Sequence, residues 1–418
     1  MSSVQEARVP RRQDDWTEAA VADVYGRLER AVSLSGEDAA VVITARLEPI
    51  GGVGTRVFPP TYPLDAVNDD ATKPRRPYVV EPRRMEDGVV ETVLLDSVQS
   101  ESNRVEEALE RAVAEGRLRL PHLLVEHELS TGRRVRISSF TAPHRYADAY
   151  FRDSLLDGQA FDKTAVGKSL RAATAEDCRA LYEREPLSVV LGAWDSHRKG
   201  RVAKFPRLYR SEVVGVNPVF GRRAAGRMDP HNMVGAVANG AAATDGSAGW
   251  EHVAPNGKSA KGEKLSEIGH GNITPVAAHG GVTVESAVRM ASLSMAGLAR
   301  LRFGDAPLEA ATAARVALAA LALVGDRLAF GGSGLWLRSG CELVVVDEEV
   351  AWQRRGGQRE PFELGVDEAL RVFEQARARA AEHGLVMSDE VLRLRPGKGL
   401  AKAWEHAYLS AAVEEDRR

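Results

Sequence analysis

The stretch WDSHRKGRVAKFPRLYR, residues 194 to 210, holds six cations, Arg198, Lys199, Arg201, Lys204, Arg207 and Arg210, against the single acid Asp195. Trp194, Phe205 and Tyr209 stand among them. Guanidinium and ammonium groups neutralise phosphates, whereas aromatic rings give unpaired bases a face to stack on. The two interleaved are the signature of single-strand nucleic-acid binding. Extended to Arg227, the segment adds Arg222, Arg223 and Arg227, so nine cations face two acids, Asp195 and Glu212. The alternation of Arg201, Phe205, Arg207 and Tyr209, with Val202 and Leu208 opposite, predicts a hairpin with cations on one face and apolar groups on the other. A plain edge strand charged for solubility would show the same alternation.

Two further segments suit a phosphate chain. DSVQSESNR (96–104) crowds Ser97, Gln99, Ser100, Ser102 and Asn103 at the start of a helix, where free N–H groups and the positive dipole end favour an anion, and Arg104 adds a cation. N-capping by Asp96 or Ser97 is the simpler role for part of it. In GGVGTR (51–56), Gly51, Gly52 and Gly54 let a backbone approach a ligand and Arg56 can reach phosphate; Arg46 lies on the strand leading there.

Catalytic signatures are missing. Each GKS triplet, at 167–169 and 257–259, lacks the earlier glycine of a phosphate loop, since Asp162 and His252 stand there. Val57 occupies the third glycine position after Gly52-Val53-Gly54, so no dinucleotide fingerprint forms. His231, His252, His270 and His279 share one region without helical spacing or a patterned acid, and no metal or cofactor is expected. His197, beside Asp195 and Ser196, is the one candidate base for attack by a ribose 2′-hydroxyl; a residue facing phosphate or water is the alternative.

The elements that must position these groups are legible in outline. Asp15 can cap a helix reaching about Leu34, and AAVVITARL (39–47) reads as a buried strand entering the glycine loop. Seven prolines between Pro49 and Pro82 predict a long irregular excursion. Residues 89–116 pass from an apolar run into a helix with Val98, Val105, Leu109 and Ala112 on one face. Strands are predicted at 120–129, 133–140, 187–194 and 341–350, and helices at 282–301, 308–328, 366–383 and 399–412. Residues 221–282 are rich in Gly, Ala, His and Asn and read as a projecting insertion. Strands and helices do not alternate regularly, which predicts an α+β fold with an antiparallel sheet.

The totals exclude other classes. With 56 Lys+Arg against 59 Asp+Glu, affinity for a polyanion has to be local. From Cys341 onward 12 cations face 16 acids, a field opposite to that of residues 194–227 and suited to protein partners. Two cysteines, Cys178 and Cys341, make neither a disulfide framework nor a Cys-based zinc site, and a cytoplasmic protein is expected. No export signal or membrane role is expected either, since the apolar run Val316–Val324 is far short of ~20 residues.

LLDSVQSESNRVEEAL, WDSHRKG, FPRLYRSEVVGVNPVFGRR and IGHGNITPVAAHGGVTV together closely resemble the RAMP-superfamily backbone subunit (Cas-seven class) of the type I-U, or I-G, Cascade surveillance complex of CRISPR systems. The likeness runs from about Ala45 to Gly340. It implies a single elaborated domain over 1–418 with an RNA-recognition-motif (ferredoxin-like) palm. A proline-rich basic loop at 49–90, a Gly/His-rich thumb at 200–282 and a C-terminal strand and helices at 341–418 would elaborate it. It also implies a non-catalytic protein that polymerises as a helical filament along CRISPR RNA and presents bases to the target DNA strand. Further implied partners are other copies of itself, the repeat-processing and large subunits and, indirectly, a helicase-nuclease effector. On this chain, Gly51, Gly52, Gly54, Arg56, Ser97, Gln99, Ser100, Asn103, Arg104 and the stretch from Trp194 to Arg223 would meet the RNA. The central strand carries no aromatic ribonucleoprotein consensus, a departure from the small RNA-recognition motif. Two other function classes stay open on the residues: a metal-independent ribonuclease of the same superfamily using His197 and an arginine, and a phosphate-metabolite enzyme.

Overall fold

The computed structural model describes residues 18–64, 76–85, 88–195, 203–231, 239–242, 250–253, 263–264, 270 and 272–415. Strands follow in chain order: β1 Asp38–Pro49, β2 Val80–Met85, β3 Gly88–Asp96, β4 His122–Glu128, β5 Arg134–Ser138, β6 Ser154–Leu156, β7 Gln159–Ala160, β8 Ala193–Asp195, β9 Ala203–Phe205, β10 Tyr209–Val216 and β11 Val219–Arg227. Then come β12 Asn239–Ala242, β13 Trp250–Val253, β14 Glu263–Lys264, β15 Ile273–Thr283, β16 Ser286–Ser294, β17 Gly334–Arg338, β18 Cys341–Arg354, β19 Arg359–Pro361 and β20 Val391–Pro396.

The largest sheet runs β17-β18-β1-β16-β10-β3-β2, with β19 on β18, and all of its pairings are antiparallel. Through it the chain passes β1, helix Val98–Ala114, β10, β16, helix Leu308–Phe330 and β18. Those four strands lie in the order β18-β1-β16-β10, which is the βαββαβ connectivity of a ferredoxin-like palm. The fold is therefore α+β with an antiparallel sheet, as the sequence predicts.

Period two sets which face of the sheet is covered. On β1, Val41, Ile43, Ala45 and Leu47 are buried while Val42, Thr44 and Arg46 point to the other face. The helix Val98–Ala114 packs Val105, Leu109 and Ala112 inward and stops before Gly116, whose φ of 72° is easiest for glycine. Leu308–Phe330 is long and apolar enough to cross a membrane, yet most of it is buried inside this fold. Its alanines and Gly325 allow close approach: a Cβ at 325 would lie 2.6 Å from a methyl of Val105.

Beneath the sheet lies a buried ionic network. Arg289 of β16 donates from Nε to Glu101 at 3.2 Å and from Nη2 to the Tyr209 hydroxyl at 2.9 Å, and it also pairs with Asp326. Ser211 donates to Glu101 at 2.7 Å, and Arg327 joins Asp326 to Glu348 on β18. The network cross-links β10, β16, β18 and both palm helices.

A second sheet, β5-β4-β20-β6-β7, contains the parallel pair β4–β20. Glu185 ties it to the chain that enters β8. Wholly buried, it accepts from the Leu123 N–H at 2.9 Å and the Ser139 hydroxyl at 2.8 Å. Burial pushes its pKa up to about 8 from 4.5. A carboxyl raised by folding weakens the fold as pH climbs through that window, because the folded state must give up a proton it holds more tightly than the unfolded chain does. Relative to Glu185→Gln, the wild type is expected to lose about 1 kcal/mol or more of stability between pH 5 and pH 8. Urea titrations of both proteins at the two pH values check this; parallel pH profiles would contradict it.

Three sequence expectations are corrected. Residues 187–194 are not one strand: Pro186–Val190 is a buried helix with proline in its first turn, and only Ala193–Asp195 is extended. A short apolar run has no period to separate the two states. Residues 282–301 are not a helix; β16 alternates buried Ala287, Arg289, Ala291 and Leu293 with half-covered neighbours, and a one-turn helix follows. The proline-rich excursion also ends in regular structure, because Pro82 sits on β2, an edge strand where a missing N–H costs little.

Candidate nucleic-acid interface

The basic residues gather at the two ends of β10, about 25 Å apart for eight residues. One end is the base of the hairpin β11–β15, which continues β10 and β16 beyond the sheet. The glycine loop after β1 closes against this base. Gly52 and Gly54 take φ of 83° and 86°, Thr55 N–H bonds the Gly52 carbonyl at 3.1 Å, and Val57 and Val282 exchange two backbone bonds of 2.8 Å. Arg56 Nη1 then reaches the Arg222 carbonyl at 3.2 Å. Gly221 permits this approach, since a Cβ there would lie 3.2 Å from Arg56 Nε. Arg222 and Arg223 are exposed on β11, with the Arg223 guanidinium 5.7 Å from the Phe58 ring. Among the described residues no carboxylate pairs with Arg56, Arg222 or Arg223. Such cations remain available to an anion.

Rings back this cluster. Arg76 lies 3.5 Å from the Phe220 ring, Tyr78 stacks on Phe220 at 6.4 Å, and His279 meets Tyr78 edge-on at 6.0 Å. Sequence reasoning assigned none of Phe58, Arg76, Tyr78 or His279 to the site, and Phe220 only as part of the stretch from Trp194 to Arg223. Their signal was faint: RRPY in the proline stretch and VFGRR after β10 are each a ring next to arginines.

The other end of β10 carries the ribbon β8–β9, paired as Ala193↔Phe205, Trp194↔Lys204 and Asp195↔Ala203. Arg145 holds its entry. This residue, at φ 51°, is buried and donates to Glu106 at 2.6 and 2.9 Å and to the Gly192 carbonyl at 2.7 Å. Burial pushes Glu106 up to about 7 although Arg145 pulls the other way. Gly192, at φ 84°, leaves no room for a side chain, because a Cβ would meet the Phe205 carbonyl at 2.9 Å. Lys204 and Arg207 are exposed beside it; burial and the Arg145 charge draw Arg207 below the usual arginine value. His197, Arg198, Lys199 and Arg201 lie outside the described residues.

The remaining expected contacts are distributed differently. Arg46 and Arg210 stand on the uncovered face of the palm, Arg46 bonded to Glu48 at 2.8 Å and Arg210 to Ser292 at 3.3 Å. At the helix start, Ser97 caps through the Ser100 N–H at 3.2 Å, while Gln99 and Asn103 are exposed. Arg104 turns inward instead: it pairs with buried Asp96 at 2.7 Å and donates to the carbonyls of Trp336 and Leu337. Arg338 bridges the same Asp96 to β17, so this arginine pair ties β3 to the far edge of the sheet. No aromatic ring stands on β1 or β16, the central strands. Among the described residues no group of three His, Cys, Asp or Glu is placed to hold a metal.

No curated protein matches the chain. A family profile described as CRISPR-associated protein GSU0053 matches residues 41–219, from β1 through the palm helix and the ribbon to the foot of the basic hairpin, and this similarity supports a CRISPR-associated protein.

Proposed function

We propose that this protein is a non-catalytic backbone subunit of a type I CRISPR surveillance complex, a RAMP-superfamily protein of the type I-U/I-G branch. It holds CRISPR RNA by its phosphates without reading sequence, and copies stack head to tail in the cytoplasm so that bases stay displayed for the target DNA strand. The carrying observation is the hairpin base, where Arg56, Arg222 and Arg223 lack carboxylate partners among the described residues beside a glycine loop whose backbone a strand can approach. Similarity to a CRISPR-associated family over residues 41–219 directs the choice of polymer. Heterologous contacts that do not close into a ring give a helical filament whose length the RNA sets. Repeat-processing and large subunits would occupy its ends, and a helicase-nuclease effector would act through the assembled complex.

Salt titration of RNA binding tests this reading. Log affinity should fall with log salt at about −0.7 per phosphate contacted, alike for unrelated sequences, and longer RNA should recruit more copies. A protein that stayed monomeric and free of RNA at low ionic strength would refute it, and cleavage of the RNA by the purified protein would refute the non-catalytic role.

A further inference from the structure

Asp96 ends β3, and Glu101 lies in the first turn of the helix that follows; both are fully buried. Asp96 gives one oxygen to Arg104 at 2.7 Å and the other to Arg338 at 2.9 Å. Glu101 Oε2 accepts from Ser211 at 2.7 Å and from Arg289 Nε at 3.2 Å. Its Oε1 has no donor among the described residues, although it lies 4.0 Å from the same Arg104 Nε that Asp96 holds. The Glu101 and Asp96 carboxyls are within hydrogen-bonding reach of each other.

Two carboxylates in contact in a dry interior cannot both stay ionised, and one proton between them turns the orphaned oxygen into a donor. Asp96, with two arginines of its own, is the member that keeps its charge. Glu101 shares its one arginine with Asp326, so it is the member that takes the proton. Burial pushes the Glu101 carboxyl up, Arg289 pulls it back, and Asp96 adds to the rise. The neighbouring charges are matched among themselves, Arg327 bonding both Asp326 and Glu348. Burial keeps the Tyr209 hydroxyl and the Cys341 thiol neutral. We propose that Glu101 is held as the protonated acid and donates from Oε1 to Asp96, and that this proton is a latch on the edge strand β17. Its loss would set like charges side by side and offer Arg104 a second carboxylate, drawing it off the Trp336 and Leu337 carbonyls that it holds in β17. Because the folded carboxyl binds its proton more tightly than the ordinary 4.5 of the unfolded chain, the latch is closed at low pH and opens as pH rises through the folded value. It does not depend on what the basic clusters bind.

Full-length Glu101→Gln tests the latch, because a carboxamide keeps a donor for Asp96 and an acceptor for Ser211 and Arg289 but cannot ionise. At pH 6 its urea midpoint should match that of the wild type. From pH 6 to pH 8 the wild type should lose up to about tenfold in folding constant per pH unit relative to the variant. Amide hydrogen exchange across Gly334–Arg338 should be equal in the two proteins at pH 6 and faster in the wild type at pH 8. Infrared spectra at pH 6 should show one protonated carboxyl in the wild type that the variant lacks. Asp96→Asn, by contrast, should lower the folding constant about a hundredfold or more even at pH 6, because Arg104 and Arg338 lose their carboxylate. A Glu101→Gln protein that is about a hundredfold less stable at pH 6, or that does not fold, would mean that Glu101 serves Arg289 as a carboxylate, and the proposal would fall. Equal exchange in β17 at both pH values would overturn it as well. Neither result would touch the proposed function, which none of these measurements reads.

Discussion

Asp326→Ala is expected to lower the stability of the full-length protein by about 3–5 kcal/mol, the usual cost of removing one partner from a buried ion pair. Burial works against the Asp326 charge, but Arg289 and Arg327 outweigh it and hold the carboxyl down at about 2. With the carboxylate gone, Arg289 keeps only Glu101, the Tyr209 hydroxyl and the face of Phe330 at 3.7 Å. Among the described residues its Nη1 already lacks an acceptor, and Glu101 Oε1 lacks a donor. The uncompensated cation, more than the lost attraction, supplies most of the penalty. Because the folded pKa is depressed, this stabilisation is present above about pH 4 and is lost as pH falls toward 2. Urea unfolding of the variant at neutral pH measures the effect, and a loss below about 1 kcal/mol would contradict the network's role. Arg289→Met combined with Asp326→Leu should recover part of the loss, since neither Arg289 nor Asp326 is then left buried without the other, while Glu101 keeps Ser211 and Arg327 keeps Glu348.

Arg56, Arg222 and Arg223 all replaced by Gln should weaken RNA binding by about a hundredfold at ~0.1 M salt and flatten the log–log salt slope by about 2, each lost phosphate contact contributing about 0.7. The three side chains are exposed and none belongs to the buried network, so the urea midpoint should stay near that of the wild type. The comparison that isolates the site is Arg46 with Arg210. Those two stand on the open palm face and already have polar neighbours, Glu48 and Ser292. Their double replacement should have the smaller effect. Equal losses for the two sets would mean that the strand crosses the palm and does not favour the hairpin base.

Elements with a strong period or clear end signals were legible. The strand 39–47 alternates through Val41, Ile43 and Ala45, and the helix after residue 96 has its cap at Ser97 and its stop at Gly116. Reading failed at residues 282–301, where small and apolar residues satisfy both periods and β16 gains its strand from pairing on both sides, with β1 and β10. Arg104 shows the same limit for a site residue. Its place in a polar helix start suggested a phosphate contact, but Asp96, eight residues back, and two carbonyls of β17 claim its donors.

The amino-acid sequence by itself determined the α+β class, the local excess of cations between residues 194 and 227, and the lack of the phosphate-loop and dinucleotide glycine patterns, because composition, period and spacing are properties of neighbours along the chain. Tertiary structure alone decided which cations remain available and where. Arg56 joins Arg222 and Arg223 across 166 residues of chain, while Lys204 and Arg207 stay at the other end of β10 beside an exposed indole. The physical reason is that a guanidinium binds the nearest anion or carbonyl, and which one is nearest follows from sheet order, not from distance in sequence.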